Sequence, residues 1–492
     1  MAHEMRLPSA TPSRQGQLFD ASTPQGPMTK ELFRGTAPYS RGDKGASRTM
    51  WNVEDLFVLS DLHLAAERDK GLFRSDGELA ACLRWIFTDT RDSVVVLAGD
   101  VLDFLVIDNG STKVDIAHLG DQTRAIIEHH PEVFQALRDL ARSPRHQLIM
   151  MGGNHDPEFI FPEVQEAIEL HLGGRLINLP VRWLVHGEAL RVRVGPAVVL
   201  VEHGNVLDPW NRINHAALQS VLSLTSRNLS DGGTYQPPPG SRVVLEVTNR
   251  LRDHYPWIDC LKPETEAVLP LLWHFAPWQQ QKLLFNLADD YLSMKVFALN
   301  QKLGNARNPE RLYKGEGETL NSPQDHAFKE WVDDIHNGQR LTLGPEKKEA
   351  RLIRRLRSVS ARDTFFNVES PDGTAASLRP VFDGGTDLVI HGHTHAAKCC
   401  VTEGGFYINT GTWGQLLRLP QSDESDDAWR DFLGLLERND VRCFSRPTLA
   451  RVRRDPEREE TTAALLEWEQ RGPKSLVRRR FAGRQGGWQK EV

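Results

Sequence analysis

Residues 93–104 read SVVVLAGDVLDF: an apolar run that stops abruptly at Gly99-Asp100. A short apolar run ending in a polar turn predicts a strand that delivers a carboxylate at its C-terminal end. Upstream, residues 56–64 (LFVLSDLHL) do the same and break at Ser60-Asp61. Between the two, GELAACLRWIFTD has helical spacing. Downstream comes a helical stretch at about 121–142, interrupted near Pro131, and then a third apolar run, HQLIMMGGNHD, enters a glycine-rich turn. A helix near 162–171 precedes strand-like segments at about 181–186, 190–194 and AVVLVEHGN. The strand pattern returns much later, at TDLVIHGHTH and GGFYINTGTW. This alternation is the α/β pattern, in which ligands sit outside the carboxyl ends of the strands.

The polar clusters at those ends are Asp61-Leu62-His63, Gly99-Asp100, Gly153-Asn154-His155-Asp156, His203-Gly204-Asn205 and Gly392-His393-Thr394-His395. Each follows an apolar run, so a parallel arrangement is expected to bring all five to one edge of a sheet. The set holds carboxylates, an amide and imidazoles, which suits borderline divalent metals such as Mn, Fe or Zn. It lacks the thiolates of a structural zinc site and the carboxylate-rich shell of calcium.

The five blocks, in this order, resemble the calcineurin-like metallophosphoesterase superfamily, whose pattern is D-x-H, G-D, G-N-H-[DE], H and G-H-x-H. The resemblance covers roughly residues 55–205 and 385–415. It implies an αββα sandwich of two mixed sheets flanked by helices, and a binuclear metal centre. Asp61, His63 and His395 would bind the first metal, Asp100 would bridge, and Asn154, His203 and His393 would hold the second. His155 would act as general acid, with Asp156 orienting it or another nearby group. Asp103, in the same run as Asp100, reads as a local hydrogen-bond acceptor or a support for the site. His391 is left without a metal, for a supporting hydrogen bond or packing. The implied cofactors are two divalent ions, Mn2+ first and Fe or Zn next. The implied activity is hydrolysis of a phosphoester or pyrophosphate bond by a hydroxide shared between the metals.

The spacing between His203 and His393 leaves room for a long, mainly helical insertion, similar to the lid of the UDP-diacylglucosamine pyrophosphatase-like hydrolases. HGNVLDPWNRINH and YINTGTW are also similar to that branch. One position departs: that branch commonly carries Arg where this chain has His155, and an alkoxide leaving group needs an acid where a nucleotide does not. From the branch resemblance, the substrate is expected to be a phosphorylated small molecule, nucleotide-type or lipid-linked. Two other readings are a Mn-dependent nuclease, holding DNA or RNA through the basic helix near 351–357 and the basic C-terminal tail, and a non-enzymatic scaffold.

The organisation expected is a disordered arm over 1–50, a core over 51–207, a helical insertion or lid over 208–380, a second core part over 381–455, and a helix with a basic tail over 456–492. The net charge of −6 excludes a chain that is basic overall. Five cysteines with no C-x-x-C pair suit a reducing compartment. No apolar run is long enough for a signal-peptide core or a bilayer span, so a cytoplasmic location is expected.

Overall fold

The structure is a computed structural model and describes residues 50–67, 71–89, 92–106, 114–173, 181–208, 210–229, 235–275, 345–470, 472–484 and 486–490. All but the last residue of the arm expected over 1–50, and the middle of the expected insertion, 276–344, lie outside them.

The strands in chain order are β1 (Trp51–Val53), β2 (Asp55–Leu59), β3 (Ser93–Ala98), β4 (His146–Met151), β5 (Val181–Leu184), β6 (Leu190–Val194), β7 (Ala197–Val201), β8 (Leu261–Lys262), β9 (Leu388–His391), β10 (Lys398–Thr402), β11 (Gly405–Asn409), β12 (Gln415–Arg418), β13 (Phe444–Ser445), β14 (Thr448–Asp455), β15 (Glu460–Glu469), β16 (Gly472–Phe481) and β17 (Trp488–Lys490). The longer helices are α1 (Asp76–Asp89), α2 (Leu119–His129), α3 (Pro131–Arg142), α4 (Pro162–His171), α5 (His215–Thr225), α6 (Glu264–Phe275), α7 (Pro345–Arg362) and α8 (Asp426–Glu437).

Two mixed sheets carry the architecture. One runs β17-β16-β15-β14-β2-β3-β4-β5, with β2 to β5 parallel; the other runs β1-β6-β7-β9-β11-β10, with β7, β9 and β11 parallel. The pleat sorts each apolar run onto two faces. In β3, Val94, Val96 and Ala98 face the layer between the sheets, where they join Val58, Ile149, Val199 and Ile390. Val95 and Leu97 face outward, under Leu83, Ile86, Leu137 and Leu140 of α1 and α3. Burial on both faces explains why these strands read as unbroken apolar runs rather than as alternation. A third, small sheet β13-β12-β8 joins a separate cluster around Trp257, Leu356 and Trp429.

Two expectations are corrected. The parallel strands belong to two sheets, so the five polar clusters do not share one edge. The segment 456–492 holds no helix among its described residues but the strands β15, β16 and β17. Ala and Leu in this stretch are strong helix formers. However, Ala463 and Leu465 face the inter-sheet core while Ala464, Leu466 and Trp468 face the cluster that includes α1, a period of two that pairing with β14 satisfies. Several of its described basic residues are ion-paired: Lys474 with Glu469, Arg479 with Glu369, Arg480 with Glu460, and Arg484 with Asp387. Among the described residues, no helix is long and apolar enough to cross a membrane.

Candidate active site

Asp61 and His63 follow β2, Asp100 follows β3, and Asn154 and His155 follow β4, all in the eight-stranded sheet. His203 follows β7, and His393 and His395 follow β9, in the six-stranded sheet. Backbone hydrogen bonds tie the turns together: Asp61 N to Gly99 O at 3.1 Å, His63 N to Asp100 O at 2.9 Å, and Gly392 N to His203 O at 2.9 Å. The two sheets meet at Asp61, whose carboxylate accepts the His393 N–H at 3.0 Å from both oxygens. The strand expected from YINTGTW supports the same residue, since Thr412 Oγ1 donates to Asp61 O at 2.9 Å.

Five of the site residues, Asp61, His63, Asp100, His393 and His395, have φ between 51° and 69°. Non-glycine residues rarely adopt this left-handed region, and such strain concentrates at functional sites. Close approach also dictates two glycines. A Cβ at Gly153 would run into the Asp100 carboxylate, and one at Gly392 into Ser60 and Asp61.

The side chains gather into three groups, each with its candidate ligand atoms within 4.8 Å of one another: Asp61, His63 and His395; Asp100, His203 and His393; and His63, Asp103 and His155. In the first, His63 Nε2 lies 2.9 Å from His395 Nε2, which is 3.5 Å from Asp61 Oδ1. In the second, His203 Nε2 lies 3.2 Å from Asp100 Oδ2 and 3.1 Å from Asn154 Oδ1. The two groups bring together the residues expected from sequence to hold two metals, and they lie adjacent in space.

The donor set fits divalent cations on structural grounds. His203 donates Nδ1–H to Ala98 O at 2.9 Å, which leaves a lone pair on the Nε2 that faces Asp100. His393 Nδ1 is buried without a hydrogen-bond partner. Burial opposes ionisation of Asp100, yet His203 and His155 hold its carboxyl well below the usual range.

The third group is a hydrogen-bonded pair with a neighbour. Asp103 Oδ1 is 3.1 Å from His155 Nδ1, and Oδ2 is 3.4 Å from His63 Nδ1. Burial lowers the His155 pKa, but the Asp103 and Asp100 carboxylates outweigh it and raise it to about 10. Asp156 does not hydrogen-bond the His155 ring. Its carboxylate accepts backbone N–H groups from Asp100 at 3.2 Å, Val101 at 2.7 Å, Leu102 at 3.2 Å and Gly153 at 2.6 Å. It therefore braces the turn that carries Asp100, the second of the roles expected for it, and the group that orients His155 is Asp103. His391 turns away from the site, with Nε2 2.9 Å from Glu202 Oε1.

Two contributors had little sequence signal. Asp208 reaches His393 Nε2 at 3.0 Å; burial raises its pKa, but the hydrogen bond from His393 more than compensates, and the carboxyl lies below its ordinary value. Lys262 on β8 is buried close enough to lower the His395 pKa, second in effect to burial itself. The stretch after Asp208 also covers one side of the site, since Asn249 Nδ2 donates to Leu105 O at 2.8 Å and Ser241 Oγ to Asn154 O at 3.4 Å.

A model of the calcineurin-like phosphoesterases matches residues 55–269, the stretch that runs from β2 through Asp61, Asp100, Asn154 and His203. The matched stretch belongs to that family. His393 and His395, which gather with Asp61, His63, Asp100 and His203, lie beyond the matched stretch. No curated protein matches the chain. Among solved structures, a candidate 5'-nucleotidase from Staphylococcus aureus in complex with alpha-ketoglutarate aligns at 11% identity with a TM-score of 0.27. The alignment covers 87% of this chain and 53% of that one, so the chain spans about half the length of its match. At that score the likeness carries no argument.

Proposed function

We propose that this metallophosphoesterase hydrolyses a phosphoester or pyrophosphate bond of a nucleotide-type or lipid-linked small molecule, using two divalent cations. The observation that carries the reading is the pairing of two ligand groups, Asp61/His63/His395 and Asp100/His203/His393, beside the His155–Asp103 pair. When bound, the cations would supply Lewis-acid polarisation of the phosphoryl group and a water acidic enough to attack near neutral pH. Mn2+ is the first choice for a mixed oxygen and nitrogen donor set, with Fe or Zn as substitutes.

The protein's own part is to place and move a proton. Asp103 holds His155 through Nδ1, so His155 presents Nε2–H. The His155 side chain is 18% exposed and that of Asp103 only 3%, which puts the histidine at the accessible end of the pair. His155 Nε2 would give its proton to the departing oxygen, which leaves as an alcohol. The cover formed by residues 239–249 serves as part of a lid over this side.

The basic segments do not favour nucleic acid. Helix α7 buries Leu352, Ile353, Leu356 and Val359 in a core cluster, and its Arg357 pairs with Asp426 at 2.9 Å. Lys474, Arg479, Arg480 and Arg484 near the C-terminal end are paired with carboxylates.

The test is a panel assay with added Mn2+ on a nitrophenyl phosphomonoester, a nitrophenyl phosphodiester, cyclic nucleotides, UDP-sugars and single-stranded DNA. Metal-dependent hydrolysis of a small molecule, abolished by Asp100→Asn and little changed by salt, is expected. Activity that survives thorough chelation overturns the mechanism, and hydrolysis of DNA alone, falling steeply with salt, overturns the substrate class.

A further inference from the structure

The site leaves one carboxylate without a role. Asp208 lies five residues beyond His203, just past the turn Asn205–Leu207. Its Oδ2 is 3.0 Å from His393 Nε2 and accepts Asn211 Nδ2–H at 2.7 Å, while Oδ1 accepts the Trp210 N–H at 2.9 Å. An ionised carboxylate only accepts hydrogen bonds, so the proton between Asp208 and His393 belongs to His393 Nε2. The other ring nitrogen then carries the lone pair. That atom, Nδ1, is buried and has no hydrogen-bond partner, and His393 groups with Asp100 and His203.

We propose that Asp208 is a positioning residue that fixes His393 as the Nε2–H tautomer, so that Nδ1 is the nitrogen offered to the second cation. The proposal rests on the two-metal reading above. The neighbouring ligand is set the opposite way: the Ala98 carbonyl takes the Nδ1–H of His203 and leaves Nε2 free. Two imidazoles of one site thus present different nitrogens, each chosen by the hydrogen bond behind it. The arrangement also ties the second cation to the segment that follows the first half of the core. Asn211, which holds Asp208, packs so closely on Gly240 that a Cβ there would strike its side-chain amide, and Gly240 N donates to Trp210 O at 2.8 Å.

The test uses the full chain stripped of metal by chelation. Nitrogen-15 spectra of the histidine rings should show His393 as the Nε2–H tautomer in the wild type and as a mixture in Asp208→Ala. Mn2+ titration followed by electron paramagnetic resonance should give two bound ions in the wild type. In Asp208→Ala the second should bind about 10–100-fold more weakly, with the first unaffected. Asp208→Asn keeps an acceptor of the same shape and should lose only several-fold; it carries the test if the alanine variant does not fold. Second-site affinity equal to wild type in both variants overturns the proposal alone. A wild type that binds fewer than two ions overturns it together with the two-metal reading.

Discussion

Asp103 Oδ1 lies 3.1 Å from Nδ1 of His155, and the pair is oriented with the carboxylate buried and the imidazole at the accessible end. A buried acceptor behind a histidine fixes the ring and favours its protonated form, which is what an acid for a departing oxygen requires. His155→Ala is expected to reduce turnover by about 10²–10⁴-fold on alkyl phosphoesters and to leave nitrophenyl esters nearly unchanged, because nitrophenolate departs without a proton. Asp103→Asn should follow the same pattern with a smaller loss. Parallel kcat measurements on the two ester types check this, and equal losses on both would remove the acid role.

Gly392 is held on both sides of its peptide: its N–H donates to His203 O and its carbonyl accepts Asn409 Nδ2–H at 2.6 Å. The backbone cannot retreat, and a methyl group would meet Ser60 and Asp61. Gly392→Ala is expected to cost about 1–3 kcal/mol by overpacking and to displace Asp61 from the first ligand group. Gly373→Ala is the control, because nothing lies near its would-be Cβ. Melting curves of the chelated proteins, and metal content by mass spectrometry after reloading with Mn2+, separate the two; a Gly392 variant as stable and as metal-loaded as the control contradicts the packing account.

Glu158 is buried in the turn Pro157–Ile160, and its Oε2 has no hydrogen-bond partner. Burial pushes its pKa up to about 8, and the nearby Asp156 and Asp103 carboxylates add to the rise while His155 opposes it. A carboxyl raised in the folded state favours folding when protonated, so this contribution is complete below about pH 4.5 and is lost as pH rises through about 8. Glu158→Gln, which mimics the protonated form, should therefore gain stability over the wild type at pH 9 and little at pH 5. Denaturant titrations of metal-free protein at the two pH values decide it, and a gain independent of pH would contradict the assignment.

The strand ends were legible because an apolar run buried on both faces must stop where backbone and side chains turn polar. Asp61, Asp100, Asn154, His203 and His393 all stand at such stops, and the order of the blocks points to the family that the matched stretch bears out. What the sequence hid was partnership. Asp103 reads as an acceptor without a named partner and Asp208 looks like any aspartate in a turn, and only the folded chain shows each behind a histidine. From sequence, Asp156 is open to two partners, His155 or another nearby group, and only the folded chain shows its carboxylate facing four backbone N–H groups around the turn of Asp100 rather than the ring.

By itself, then, the sequence determined the strand–turn units and the chemistry each carries, because both follow from local periodicity and residue type. Tertiary structure decided how the units divide between the two sheets, and that Glu460–Glu469 and Gly472–Phe481 complete a sheet as strands despite the helix-forming Ala and Leu of the first. It also decided which acceptor stands behind His155, His203 and His393. Sheet membership and these partnerships depend on contacts between residues as far apart as Asp61 and His393, and such contacts exist only once the layers have packed.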